Sequence, residues 1–150
     1  MRLNILSNNI YDLPKKLERN LDLMADHILV DQKKDGLTVN LKFVSSKEMK
    51  KLNKDFRDKN VDTNVLSFPA SDDVQKISGE LGDIAMSIPY IKTESQNLNR
   101  DEEDHMMHLL AHGILHLLNF DHKENFDANI MEAQEIKYLE NFKIDNPYLI

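Results

Sequence analysis

The chain has no cysteine among its 150 residues, which excludes disulfide scaffolds, cysteine-ligated zinc modules, thiol catalysis and iron–sulfur clusters. Any metal must be held by His, Asp or Glu. Glycine and proline number only four each, too few for a low-complexity or linker-dominated chain. No apolar run approaches the roughly 18 residues that suggest a membrane span. Residues 1–9 also lack the long apolar stretch of a signal peptide, so the expectation is a cytoplasmic protein with no membrane partner. Positive charge is scarce as well: 19 Lys plus Arg stand against 26 Asp plus Glu, for a net charge of −7. A protein so acidic binds a polyanion only through a local basic patch. What is present is a globular balance, 41% hydrophobic and 30% charged, at a length that suits one domain over residues 1–150.

The pattern along the chain mixes strands and helices. Residues 2–6 alternate weakly and suit an edge strand. Leu13, Leu17, Leu21, Met24 and Ile28 recur at helical spacing, with Asp12 as the expected N-cap and Pro14 early in the helix. Residues 37–44 alternate with period two and form the clearest strand. Ser46 is expected to cap a short helix with Met49, Leu52 and Phe56 on one side and lysines on the other. Residues 65–69 read as a short strand stopped by Pro69. A loop, an apolar strand over 81–87 and a largely helical remainder follow. This order predicts a small α/β or α+β domain.

Five of the six histidines fall between positions 105 and 122. The run Asn99-Arg100-Asp101-Glu102 resembles a capping box, followed by acidic residues suited to the positive end of a helix. A helix from there to about Leu118 sets His108, His112 and His116 on one face at i, i+4 and i+8, with His105 one turn earlier. His112 and His116 are then rotated by about 40° and separated by roughly 6 Å along the axis, so both imidazoles address one tetrahedral ion. A continuing helix would carry His122 about 240° away from His116. Asn119 resolves this, because Asn tolerates the left-handed conformation that ends a helix. The chain turns there and Asp121-His122 folds back. The expected site is His112, His116 and His122 around one Zn²⁺, with the fourth position open, an arrangement typical of catalytic zinc. His105 and His108 are read as structural or supporting groups, and His27 as a helix-face residue.

The His-x3-His-x5-His spacing equals that of the metzincin proteases, whose motif is H-E-x-x-H-x-x-G-x-x-H. This chain has Gly113 where those enzymes carry the Glu that acts as general base. The spacing therefore predicts a zinc hydrolase that is not a conventional protease.

The same residues resemble the YbeY family of bacterial endoribonucleases. His112-Gly113-Ile114-Leu115-His116-Leu117-Leu118-Asn119-Phe120-Asp121-His122 is similar to that family's H-G-x-L-H-L-x-G-[YF]-D-H signature, with Asn119 where the family usually has Gly. Asn53-Lys54-Asp55-Phe56-Arg57 resembles L-N-x-x-[FY]-R, Thr63 to Pro69 resembles T-[DN]-V-L-S-F-P, and Leu81-Gly82-Asp83-Ile84 resembles L-G-D-[IL]. With Met131, Glu132 and Glu135, the likeness extends over roughly residues 50–140. It implies a zinc-containing α/β fold with a mostly four-stranded sheet on which the ligand helix packs. It further implies a role in ribosomal RNA processing, notably at the 3′ end of the small-subunit 16S RNA, and in ribosome quality control.

Residue chemistry is compatible with such a role. Between 47 and 59, six basic residues (Lys47, Lys50, Lys51, Lys54, Arg57, Lys59) face three acidic ones (Glu48, Asp55, Asp58). That is a local positive excess able to hold a phosphate backbone. Arg57 falls at the family's arginine position, and its planar fork suits a phosphate. It is expected to bind substrate, with Lys54 and Lys59 beside it, and to act with His116 in catalysis by neutralising charge in the transition state. Ser67, Asp83 and Asp121 are expected to order the site through hydrogen bonds. The expected partners are the ribosome, ribosomal RNA and single-stranded RNA substrate. Two other readings are a zinc-dependent hydrolase of peptide or amide bonds, and a non-enzymatic ribosome-assembly factor with structural zinc.

Overall fold

The computed structural model describes residues 2–6, 11–121 and 124–149. Among these the elements run β1 (Leu3–Leu6), α1 (Lys15–Asp31), β2 (Thr38–Val44), α2 (Ser46–Arg57), β3 (Val65–Pro69), α3 (Asp72–Ser78), β4 (Glu80–Ser87), α4 (Ile88–Asn97), α5 (Glu102–Leu117) and α6 (Asn125–Glu140). The four strands form one mixed sheet in the order β1-β2-β4-β3. β1, β2 and β4 are parallel, and β3 lies antiparallel to β4 at the edge. The mixed α/β class, the four strands and the edge position of residues 3–6 agree with the sequence pattern.

Period-two alternation sorts the sheet residues onto two faces. Val39, Leu41, Phe43, Ile84 and Met86 join the larger apolar cluster, which α1, α5 and α6 complete with Leu17, Leu21, Ile28, Leu110, Ile114 and Leu139. Each such fully buried side chain contributes roughly 1.5–3 kcal/mol. Val44, Leu66 and Ala85 face the other way and pack with Met49 of α2 in a smaller cluster. A polar ladder crosses that second face: Asn4 Nδ2 donates to Asn40 Oδ1 at 3.1 Å, and Asn40 Nδ2 to Asp83 Oδ1 at 2.9 Å.

Local caps differ from the sequence reading. Pro14, not Asp12, precedes the first turn of α1, without a side-chain cap bond. Ser45 caps α2 by accepting from Glu48 N, one residue before the expected Ser46. Asp101 caps α5 by accepting from Asp104 N, whereas Asn99 takes a left-handed conformation (φ 53°) that closes α4. The segment after Pro69 is not simply a loop. Ser71 caps a two-turn helix, α3, which ends at left-handed Gly79. Its seven residues contain no buried side chain, so no apolar stripe marks it in the sequence.

The register of β2 against β4 shifts between Thr38 and Val39, placing a bulge beside Gly82. Gly82 is there because the backbones approach too closely for a side chain. A Cβ at 82 would lie 2.5 Å from the Phe68 carbonyl oxygen and 2.8 Å from Leu117 Cδ2. Gly82→Ala is expected to cost about 1–3 kcal/mol through overpacking. Gly36→Ala, where an added Cβ meets nothing within 4 Å, should be neutral or slightly stabilising. Urea unfolding midpoints of the two variants check this, and equal midpoints would show that β3 yields freely.

Candidate functional site

The site is built on α5, whose side chains from His105 to Ala111 are all buried. Glu102, Glu103 and Asp104 occupy its first turn, where the helix dipole favours negative charge. At the far end the chain closes as a Schellman turn: Asn119 N–H donates to His116 O and Phe120 N–H to Leu115 O, both at 3.0 Å, with Asn119 left-handed at φ 72°. Asn119 ends the helix as its residue type implies, and Asp121 comes to line the cleft. His122 lies outside the described residues.

Helical spacing brings two of the expected ligands together. His112 Nε2 and His116 Nε2 are 3.1 Å apart, their rings edge-to-face at 4.6 Å between centroids. Behind them stands Glu135 of α6, 1% exposed. Its Oε1 accepts from His108 Nε2 at 2.5 Å and from the Tyr148 hydroxyl at 2.7 Å, and its Oε2 accepts from His112 Nδ1 at 3.2 Å. Burial alone would raise this carboxyl's pKa, but the three donors outweigh it and hold the pKa at about 2. Burial and the bond to Glu135 conversely push the Tyr148 hydroxyl well above its ordinary value.

A carboxylate on His112 Nδ1 fixes the ring tautomer and turns the Nε2 lone pair to the side where His116 Nε2 stands. Two nitrogens at about 2.0–2.1 Å from one tetrahedral zinc sit roughly 3.3 Å apart. The observed 3.1 Å separation, the orienting carboxylate and the all-nitrogen donor pair therefore fit a zinc ion. Neither His105 nor His108 competes for that place, because their Nε2 atoms are engaged by Glu94 (2.6 Å) and Glu135 (2.5 Å).

The four α5 histidines line a cleft of about 830 Å³ together with Arg57, Asn64, Ser67, Glu94, Arg100, Asp121 and Tyr148. Arg57 is the last residue of α2, exposed at the rim. Asn53, 2% exposed, donates to Val61 O at 2.9 Å and pins the turn that follows Arg57. Ser67 Oγ donates to Gly113 O at 3.0 Å, tying edge strand β3 to α5. Gly113 is buried against the sheet. A Cβ there would lie 3.0 Å from Ile84 Cδ1 and 3.2 Å from Ser67 Oγ, so a protease-type Glu at 113 would meet the sheet instead of the cleft.

The structure thus gathers Arg57, Ser67, His112, His116 and Asp121 in one cleft. Lys54 and Lys59 are exposed and are not among its lining residues, and Asp83 is paired to Asn40 on the opposite sheet face. Sequence reasoning gave Glu135 no role beyond the resemblance and did not single out Tyr148 or Glu94. A signal for Glu135 existed: with Met131, Tyr138 and Leu139 it occupies the buried stripe of α6, an acid where helical periodicity calls for an apolar residue.

Comparison with known proteins agrees with the motifs. Residues 6–143 match the family described as Endoribonuclease YbeY. An Endoribonuclease YbeY of Coxiella burnetii is 38% identical, the match covering 91% of this chain and 90% of the relative. One from Francisella tularensis subsp. novicida is 32% identical, covering 99% and 93%. The chain belongs to the endoribonuclease YbeY family. A Thermotoga maritima protein solved in solution shares the fold, with a TM-score of 0.64 at 29% identity over 92% of this chain and 87% of that one. YbeY-family membership makes this chain an enzyme of the endoribonuclease class, as the His motif and the 53–69 and 81–84 segments imply. Tyr148, which closes over Glu135, lies beyond the stretch matched to the family.

Removing the Glu135 carboxylate leaves three donors without their acceptor. Glu135→Ala in metal-free protein is expected to lose on the order of 3 kcal/mol, since unpaired buried groups cost about 1–3 kcal/mol each. Exposed Glu140→Ala should stay within about 0.5 kcal/mol of wild type. Thermal unfolding of both checks it, and equal stability would show that Glu135 is dispensable to the helix packing.

Proposed function

We propose that this chain is a single-strand-specific, zinc-dependent endoribonuclease. In this reading it matures the 3′ end of 16S ribosomal RNA and serves ribosome quality control in the cytoplasm. The observation that carries the reading is the pair of Nε2 atoms 3.1 Å apart on His112 and His116, with Glu135 behind His112, inside a cleft rimmed by Arg57. His122, from the segment that follows the Asn119 turn, completes the ligand set. When bound, zinc supplies Lewis acidity toward a phosphate oxygen and toward water.

The protein's own part is binding and electrostatics. Arg57 grips the scissile phosphate through its planar fork and offsets the charge that builds on it in the transition state. Glu135 keeps His112 in one tautomer and orientation. Ser67 holds the cleft wall to α5. Lys54 and Lys59, exposed on the same basic segment as Arg57, add attraction for the strand at longer range. A single strand suits an open cleft with functional groups along one wall. Ribosomal RNA supplies such strands at its unpaired ends.

The test joins metal analysis to RNA cleavage on one purified preparation. Wild type should carry about one zinc per chain and cut unstructured RNA, with cleavage weakening as salt rises. His112→Ala, His116→Ala and His122→Ala should each lose most of the metal, and His27→Ala should not. Unchanged occupancy in all three variants would remove the site. Efficient peptide hydrolysis without RNA cleavage would favour an amidase. Zinc-loaded protein that supports ribosome assembly yet cuts nothing would favour a structural metal. Product ends report the nucleophile: a 5′-phosphate with a 3′-hydroxyl indicates water, a cyclic phosphate the 2′-hydroxyl.

Arg57→Ala separates substrate binding from metal binding. It should keep its zinc and stay within about 0.5 kcal/mol of wild-type stability, as exposed substitutions do. Cleavage should fall on the order of a hundredfold, the loss typical of one transition-state donor. Arg57→Lys should recover part of the rate. A folded, zinc-loaded Arg57→Ala protein cutting at the wild-type rate would exclude a catalytic role.

A further inference from the structure

Arg100 shares the cleft with Arg57 and the His112–His116 pair, and nothing above gives it a task. Its backbone is rigidly held. Asn99 N–H donates to Gln96 O at 3.1 Å and Arg100 N–H to Ser95 O at 2.9 Å, a second Schellman turn, and the next residue, Asp101, caps α5. The guanidinium is therefore aimed from a fixed junction between two helices.

The neighbours of that guanidinium are unusual for a half-buried arginine. Its Nη1 lies 3.1 Å from His105 Nδ1 and 3.4 Å from His108 Nδ1. Both rings turn Nε2 to a carboxylate, Glu94 and Glu135 respectively. A carboxylate only accepts, so each Nε2 carries the proton and each Nδ1 is left as an acceptor for Arg100. Among the described residues no carboxylate oxygen lies within 4.0 Å of the guanidinium. Asp104 and Glu94 act on it only at longer range, and burial lowers its pKa from the ordinary arginine value. Glu94 is itself engaged, because its Oε1 accepts from Asn64 Nδ2 at 2.9 Å as well as from His105.

A cation withdrawn from water without a counter-anion is costly. Two imidazole acceptors orient the fork but supply no negative charge. With Asp104 and Glu94 acting only at longer range, an anion in direct contact would complete its neutralisation, and in the RNA-cleaving reading the cleft takes the substrate's phosphates. His108 precedes His112 by one helical turn, about 6 Å along the axis. The position accordingly addresses a phosphate next along the strand from the scissile one. We infer that Arg100 is a second phosphate-binding residue of the cleft, gripping a backbone phosphate that flanks the one held by Arg57. The inference rests on the RNA-cleaving reading above and names a residue that fixes the path of the strand.

The alternative is a clamp that merely orders His105 and His108. Salt dependence distinguishes the two, because a clamp releases no counterions from RNA. Zinc-loaded wild type, Arg100→Ala, Arg100→Gln and Arg100→Lys would be titrated with a fluorescent 2′-O-methyl RNA oligonucleotide over a range of salt, with zinc content and thermal unfolding measured alongside. Gln keeps a donor for the imidazoles while removing the charge, so it serves if Ala disturbs the fold. Arg100→Ala and Arg100→Gln should weaken binding by about tenfold and reduce the salt slope by about 1, the signature of one lost phosphate contact. Arg100→Lys should keep the slope and recover part of the affinity. On cleavable RNA, KM should rise with kcat little changed. Folded, zinc-loaded Arg100→Gln with the wild-type slope would overturn the inference. Wild type that binds the oligonucleotide with the full slope but cuts no RNA would retire the nuclease reading and leave the Arg100 contact standing.

Discussion

The structure depends on one buried carboxylate. Glu135 is 1% exposed and takes three hydrogen bonds, from His108, His112 and Tyr148. A charge so placed is tolerable only when every lone pair facing protein finds a donor. Satisfying it forces three separate parts of the chain, α5, α6 and the tail around Tyr148, into one arrangement. The same bonds set the tautomer of His112 and close the deep wall of the cleft. Stability and site geometry are thus two consequences of one local requirement.

The second constraint is the thinness of the contact between α5 and the sheet. Gly113 lets the helix come down on Ile84 and Ser67, and Gly82 lets β4 pass beneath Phe68 O and Leu117. These close approaches set how far His112 and His116 stand above the strand edge. They also account for the absent protease base: the position that would carry it is the point where helix and sheet touch. The choice between a peptidase-like and a nuclease-like site is therefore made by packing as much as by chemistry.

Charge in the cleft runs against the character of the chain. The protein is acidic overall, at −7, yet the cleft presents Arg57 at its rim and Arg100 beside the deep histidines. Of the two carboxylates that line the cleft, Glu94 and Asp121, Glu94 is turned onto His105, and Glu135 behind the wall is turned onto His108 and His112. Glu94 and Glu135 thus hold histidines, and neither forms an ion pair with Arg57 or Arg100 among the described residues. In an acidic protein that local arrangement matters more for a polyanion than the total charge, because screening confines electrostatic influence to about 8–10 Å.

Local sequence was enough for whatever depends on neighbours within a few residues. A period-two run placed β2, an apolar run placed β4, helical spacing aligned His112 with His116, and Asn119 ended α5. The family was legible because its motifs are short and ordered. Caps were displaced by a residue or two, since Ser45 and Ser46, or Asn99 and Asp101, are equivalent as residue types and only packing selects between them. The helix α3 was illegible because it buries nothing. Every relation across elements, by contrast, came from the folded chain. Glu135 meets His112 from 23 residues away, Ser67 meets Gly113 from 46, and Tyr148 meets His108 from 40. Arg57 and Arg100 enter one cleft although β3 and β4 separate them in the chain. No local pattern encodes such meetings. They follow from burying one apolar face of the sheet under α1, α5 and α6, and from the need to pair each polar group that this burial carries inside.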